Sequence, residues 1–361
     1  MRRPPEDLWS AGSAWLEARL YFAAAYVVTQ AVVDRLRPQP AFTPIEDGLM
    51  AWDGRWYEGI VDNGYLDAAD PAVRFFPLWP LVGRFADVIL PGGSDVALVL
   101  AANALSLVAG ILLYRLVVDE TSDRVLARRS VRLLALFPPA FVLVLAYSEA
   151  LYLTLAIAVL LLSRRSMWWP AAAAGYLAGL TRPVGVLLCL PVGLTAFRER
   201  RLRTPGAVTA TVAPLLGALT FPLWAEIALG DWSAPIDRQR ELRGGVAEPV
   251  SRLVRAAWRG LNGDEGELFH FLAAILLITL TVVVAMRLSR PLAVYTIPSA
   301  LVLVAADNLN SMERYALSAF PIVIAAALVS RHPGFDRWLT TASAAGLLSL
   351  ATLALNGVYV P

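Results

Sequence analysis

Apolar residues run along this chain in long blocks, separated by short arginine-bearing or aromatic stretches. A membrane-crossing helix needs roughly 20 mostly apolar residues. Blocks near that length fall at 15–34, 95–118, 131–147, 149–163, 167–181, 183–197, 207–229, 268–288, 291–306, 315–330 and 338–358. The pattern predicts an all-α polytopic membrane protein with about eleven spans and no separate soluble domain. Segment 76–90, opening Phe76-Pro77-Leu78-Trp79-Pro80, is interrupted by two prolines and by Arg84 and reads as juxtamembrane.

Short arginine-rich loops mark the cytoplasmic side. Arg124, Arg128 and Arg129 follow the second block, Arg164 and Arg165 the fourth, and Arg198, Arg200, Arg201 and Arg203 the sixth. Arg290 follows the eighth and Arg331 with Arg337 the tenth, so all these loops share one side, with the N-terminus. Arg35 and Arg37 break the rule, but they open a long loop, where it is weaker. The first block follows Met1-Arg2-Arg3, carries Glu17 and Arg19 near its start and precedes many equal blocks, which suits a signal anchor. Two long loops, 35–94 and 230–267, fall on the outer side, the first able to hold amphipathic juxtamembrane helices. No internal repeat is visible, which counts against an inverted-repeat transporter.

Composition agrees with a lipid environment: of 361 residues 58% are hydrophobic and 17% charged. A net charge of +2 leaves no nucleic-acid footprint. All 31 basic residues are arginine, which with the abundant alanine reflects a GC-rich genome and suggests a bacterial plasma membrane. The single cysteine, Cys189, excludes an intramolecular disulfide and a thiolate cluster. His270 and His332 offer no metal-ligand spacing, and no cofactor is expected.

The polar residues that remain gather on the outer side. Trp52, Trp56, Ile60 and Asn63 share a helical face with Asp53 and Tyr57 at its edge. An interfacial amphipathic helix accounts for the aromatic residues, while Asp53 beside an interfacial tryptophan is suited to act as a general base, with a solvated surface carboxylate as the plainer reading. Tyr147-Ser148-Glu149 fills a tight outer turn, where Ser148 and Glu149 also suit a helix cap. In Thr181-Arg182-Pro183, Pro183 reads as the first residue of a helix and Arg182 as its cap. A cation at that positive end makes sense beside a bound anion such as phosphate, or as an arginine snorkelling to headgroups. Arg314 in Asp307-Asn308-Leu309-Asn310-Ser311-Met312-Glu313-Arg314-Tyr315 repeats the arrangement, with an internal ion pair to Glu313 or Asp307 as the plainer reading. Arg74, before Phe75-Phe76-Pro77, adds a third outer arginine.

In these residues the chain resembles the membrane glycosyltransferases of the GT-C class, particularly the branch related to the GPI mannosyltransferase PIG-V. The likeness rests on Trp52-Asp53 with Trp56-Tyr57 and Gly64-Tyr65, on Arg74 to Leu78, on Phe137-Pro138 through Ser148-Glu149, on Gly179 to Gly185, and on Arg314-Tyr315. One departure from the wider class is that Asp53 is followed by Gly54-Arg55, so no Asp-x-Asp pair is present and a divalent metal is not expected. The resemblance implies a GT-C-like bundle and inverting transfer of a mannosyl or other hexosyl residue from a polyprenyl-phosphate-sugar donor, on the non-cytoplasmic face, to a lipid, glycan or protein acceptor. In that reading Asp53 is catalytic. Arg74, Arg182, Arg314, Tyr315, Trp52, Trp56, Tyr57, Ser148, Glu149 and Asp307 bind donor phosphate or substrate. A flippase of a lipid-linked substrate and a non-catalytic membrane scaffold stand as the rival readings, with Glu226 as the intramembrane acid a transporter would use.

Overall fold

The computed structural model describes residues 5–36, 44–68 and 70–361. Arg2, Arg3 and Arg37 lie outside the described residues, as does the side chain of Arg35. The described chain is helical throughout, with one isolated antiparallel bridge, Val246 to Ala306. In order it forms α1 (Glu6–Leu36), α2 (Asp53–Asp67), α3 (Leu78–Ile89), α4 (Ser94–Thr121), α5 (Arg124–Ala135), α6 (Glu149–Arg164), α7 (Trp168–Thr181) and α8 (Cys189–Arg198). Then come α9 (Pro205–Leu229), α10 (Ala234–Arg243), α11 (Pro249–Leu261), α12 (Glu265–Arg287), α13 (Arg290–Val304), α14 (Met312–Tyr315), α15 (Pro321–Val329) and α16 (Pro333–Leu355).

The apolar blocks do not all become straight helices, and four of the eleven expected spans are met by single helices that qualify by length and composition among the described residues. These are α4, α9, α12 and α16, each long and apolar enough to cross a bilayer. A fifth candidate is bent by 87° between α14 with its following 3-10 turn and α15, where Phe320-Pro321 interrupts block 315–330. Block 131–147 breaks at Pro138-Pro139, since proline has no N–H to continue a helix. Block 183–197 becomes a 3-10 turn, Pro183–Leu188, followed by α8. Segment 76–90 folds as α3, whose 12 residues reach about 18 Å.

By internal packing the chain divides into two compact units. The first comprises residues 1–72, 79–154 and 326–361. Here α1 packs on α4, α5 and α16. At one end Glu6 pairs with Arg124 (3.3 Å) and Arg128 (3.1 Å), Asp7 with Arg115 (2.7 Å), and Asp336 with Arg129 (3.4 Å). At the other end the Trp52 indole donates to the Ala354 carbonyl (3.0 Å) and Ala146 N–H to the Leu49 carbonyl (3.1 Å). Within this unit the described start of α1 thus shares an end with the arginines after α4, and Trp52 lies at the opposite end.

The broken stretch after α5 explains polar residues that the sequence pattern treats as interruptions. Leu143, Val144 and Ala146 are buried with carbonyls no helix satisfies, a costly arrangement at membrane depth unless protein groups supply donors. Arg19 donates to Leu143 O (3.0 Å), Asn103 to Val144 O (2.9 Å) and the Trp79 indole to Ala146 O (3.2 Å). Glu17 meanwhile pairs with Arg132 at 2.7 Å.

The second unit comprises residues 73–78 and 155–325. Its centre is α7 against α9, running parallel, with Gly206 beside Trp168 at one end and Gly175 beside Pro214 further along. The backbones approach so closely that a Cβ on Gly179 would run into the Pro214 carbonyl, and one on Gly217 into that of Tyr176. Small residues at such contacts let membrane helices pack by van der Waals contact. Parallel neighbours require a returning segment, and the turn Pro183–Leu188 with α8 provides it.

Candidate functional site

Of the predicted site residues, Trp52, Asp53, Trp56, Tyr57, Ser148 and Glu149 lie in the first unit, and Arg74, Arg182, Asp307, Arg314 and Tyr315 in the second. In the first unit Trp52 takes φ 63° and ψ −117°, a region that costs a non-glycine residue about 1–3 kcal/mol. The following residue, Asp53, opens α2, half-buried, with its N–H donating to the Tyr147 hydroxyl at 3.3 Å. One turn on, buried Tyr57 donates its hydroxyl to Ser148 Oγ at 2.9 Å and meets the Trp79 ring edge-on at 6.4 Å. Ser148 does cap α6, but with its main chain, which accepts from Tyr152 N–H at 3.0 Å, leaving its hydroxyl to α2. Glu149 begins α6 and is 3% exposed, a favourable place for a carboxylate against the helix dipole. Trp56 is half-buried on the same helix.

Arg55, which stands where an Asp-x-Asp pair would have its second acid, bridges Asp47 and Glu58 at 2.7 Å each. It thereby ties α2 to the preceding turn. Further along α2, burial and the neighbouring Tyr57 push the Tyr65 phenol well up from its ordinary range. Among the described residues no three or more His, Cys, Asp or Glu side chains gather closely enough to hold a metal ion.

In the second unit Arg182 and Arg314, 132 positions apart in sequence, meet on one ring. The Arg182 guanidinium lies 4.9 Å from the Tyr315 centroid and that of Arg314 4.5 Å from it, while Arg314 Nη2 donates to the Tyr315 hydroxyl at 2.6 Å. Each contact is a favourable cation–π interaction. Arg182 follows α7 in extended conformation and precedes Pro183, as expected, although the element it caps is a 3-10 turn. Gly185 permits the turn, because a Cβ there would lie 2.6 Å from the Ala178 carbonyl. Arg314 sits inside α14, launched by Ser311 at φ 62°, the second strained non-glycine residue that immediately precedes a candidate site element.

Glu313 and Asp307, the expected ion-pair partners of Arg314, each make a further contact. Glu313 meets His270 Nδ1 at 2.6 Å, both largely buried. Asp307 pairs with Arg255 at 3.2 Å, and its carbonyl accepts from Arg252 Nε at 2.6 Å. Arg74 lies over the Phe75 ring at 4.5 Å, on a segment whose Phe76 packs on Phe221 of α9. His270 carries no metal-ligand spacing, so its role as a partner of Glu313 is not visible in a motif. Its place in the first turns of an apolar helix was the available signal, since ionisable groups there are paired. Arg252, Arg255 and Arg259 belong to no motif, although their spacing puts all three on one face of α11.

No family model matches the sequence, and no curated protein matches it. Among solved structures the chain is similar to the Archaeoglobus fulgidus oligosaccharyltransferase. Against that protein tethered to an acceptor peptide the identity is 10% and the TM-score 0.40, covering 94% of this chain and 55% of that one. Against its apo form the values are 11%, 0.42, 94% and 56%. The chain thus spans a little over half the length of the structures it is similar to.

Proposed function

We propose that this chain transfers a glycosyl residue, with inversion, from a polyprenyl-phosphate sugar to a hydroxyl of a lipid, glycan or protein acceptor. The observation that carries the proposal is the convergence of Arg182 and Arg314 on Tyr315. Two guanidinium forks beside an aromatic ring suit a lipid-linked monophosphate, which arginine binds bidentately. In the proposed step Asp53 takes the proton from the acceptor hydroxyl as its oxygen bonds to the anomeric carbon. The bond from that carbon to the phosphate oxygen breaks, and the polyprenyl phosphate departs with the electron pair. Its growing negative charge falls to Arg182 and Arg314. Arg74 is assigned a supporting role toward the same anion.

Mannose is the sugar that the order of motifs favours. The arginine-bearing loops support an outward-facing site on a plasma membrane. The test is incubation of the purified protein with radiolabelled polyprenyl-phosphate mannose and membrane extract, comparing wild type with Asp53→Asn. Labelled product should form with wild type and fall at least about 100-fold in the variant, the usual worth of a general base. Equal transfer by the variant would remove Asp53 from the chemistry, and no product in any fraction would leave a scaffold. Because protein cations serve as the clamp, transfer should continue in EDTA, and loss on chelation would count against that assignment.

A further inference from the structure

Helix α11 has two faces that the proposed reaction does not use. With about 100° between successive residues, Val250, Val254, Trp258 and Leu261 fall on one arc of about 80°. They are 67%, 62%, 70% and 79% exposed. The helix packs on α12 through a different strip, Ala256 and Gly260, where a Cβ on Gly260 would lie 2.7 Å from Leu268 Cα. Four large apolar side chains therefore stand uncovered. Leu261 is followed after a short turn at Gly263 by α12, one of the four helices able to cross the bilayer. This connection puts α11 at the boundary of the hydrocarbon, where an exposed apolar stripe containing tryptophan belongs.

Some 130° round the helix from that stripe are Arg252, Arg255 and Arg259. With Glu267, Asp307, Asn308 and Asn310 they line an open pocket of about 380 Å³. Three guanidinium groups face two carboxylates. Arg252 is held within the fold by Glu267 at 3.0 Å and by the Asp307 carbonyl, and its side chain is 5% exposed. Arg255 touches Asp307 at 3.2 Å and Arg259 touches Glu267 at 3.5 Å, but their side chains are 53% and 62% exposed and present donors to the opening. The lining is thus net cationic, with two amides beside it.

We propose that α11 is a lipid-binding helix: its apolar stripe enters the acyl boundary, and Arg255, Arg259, Asn308 and Asn310 hold the phosphate of an anionic phospholipid. This site is separate from Arg182 and Arg314 and stands whether or not the chain transfers sugar. The test uses the full chain in nanodiscs holding phosphatidylglycerol and phosphatidylcholine, with retained lipid counted by native mass spectrometry. Wild type should keep a bound phosphatidylglycerol with about tenfold preference, and Arg255→Gln/Arg259→Gln should lose the preference. A second measurement reads insertion: brominated phosphatidylcholine should quench a fluorescence component that Trp258→Phe removes. The proposal is overturned if the double variant keeps its preference or if Trp258→Phe leaves quenching unchanged. Displacement of the lipid by millimolar inorganic phosphate would overturn it too, marking a soluble-anion site.

Discussion

The hydrogen bond from Tyr57 to Ser148 ties the helix that begins with Asp53 to the start of α6, and Tyr57→Phe removes it while keeping the ring. Tyr57 and Ser148 are 5% and 3% exposed and their hydroxyls 2.9 Å apart, so the variant leaves buried Ser148 without the donor its Oγ now uses. A buried polar group stripped of its partner costs about 1–3 kcal/mol. Removing both hydroxyls, in Tyr57→Phe/Ser148→Ala, avoids that penalty and should recover most of the loss. Thermal unfolding in nanodiscs reads the effect, at about 2–4 °C per kcal/mol for domains of 150–250 residues. The ordering expected is wild type, then the double variant, then Tyr57→Phe as least stable. In the transfer assay the single variant should also lower kcat, because α2 gains freedom at the end that carries Asp53. A Tyr57→Phe protein as stable as wild type, or a double variant less stable than Tyr57→Phe, would refute the idea that this bond holds α2 in place.

Three further outcomes follow from the geometry. Arg182→Lys and Arg314→Lys keep the charge but lose the planar fork, so each should lower kcat/KM for the lipid-phosphate donor about tenfold or more, measured by initial rates against donor concentration. Gly217→Ala drives a methyl group into the Tyr176 carbonyl and should cost about 1–3 kcal/mol in thermal unfolding while raising the donor KM, because α7 ends at Arg182. Glu248 caps α11, and the N–H groups of Ser251 and Val250 (2.7 and 3.0 Å) hold its carboxyl below its ordinary value of 4.5. A lowered folded value means that the cap is fully effective above pH 4.5 and fades as pH falls through the folded value. Amide exchange at residues 250–253, corrected for intrinsic rate, should therefore rise on acidification, and Glu248→Gln should remove that dependence.

Much of this architecture is legible in the sequence, because burial in lipid selects for runs of apolar residues and short arginine loops mark one side. Those two signals are local, and they correctly predict helices at 95–118, 207–229, 268–288 and 338–358. They fail at 131–147, where apolar character persists through Pro138-Pro139. Hydrophobicity reports burial, and whether the buried backbone is helical depends on donors arriving from Arg19, Asn103 and Trp79 far away in the chain. Candidate residues were legible as types: an acid beside tryptophans, arginines before helices, a serine and glutamate in a tight turn. Their partners were not. That Tyr57 reaches Ser148, that Glu313 goes to His270, and that Arg182 and Arg314 share Tyr315 depend on which helices lie side by side. The sequence by itself determined a helical chain built of long apolar blocks, since solvent preference is a property of each residue. Which residues meet was decided by the tertiary structure, through packing between helices remote in sequence, as at Gly179 and Gly217.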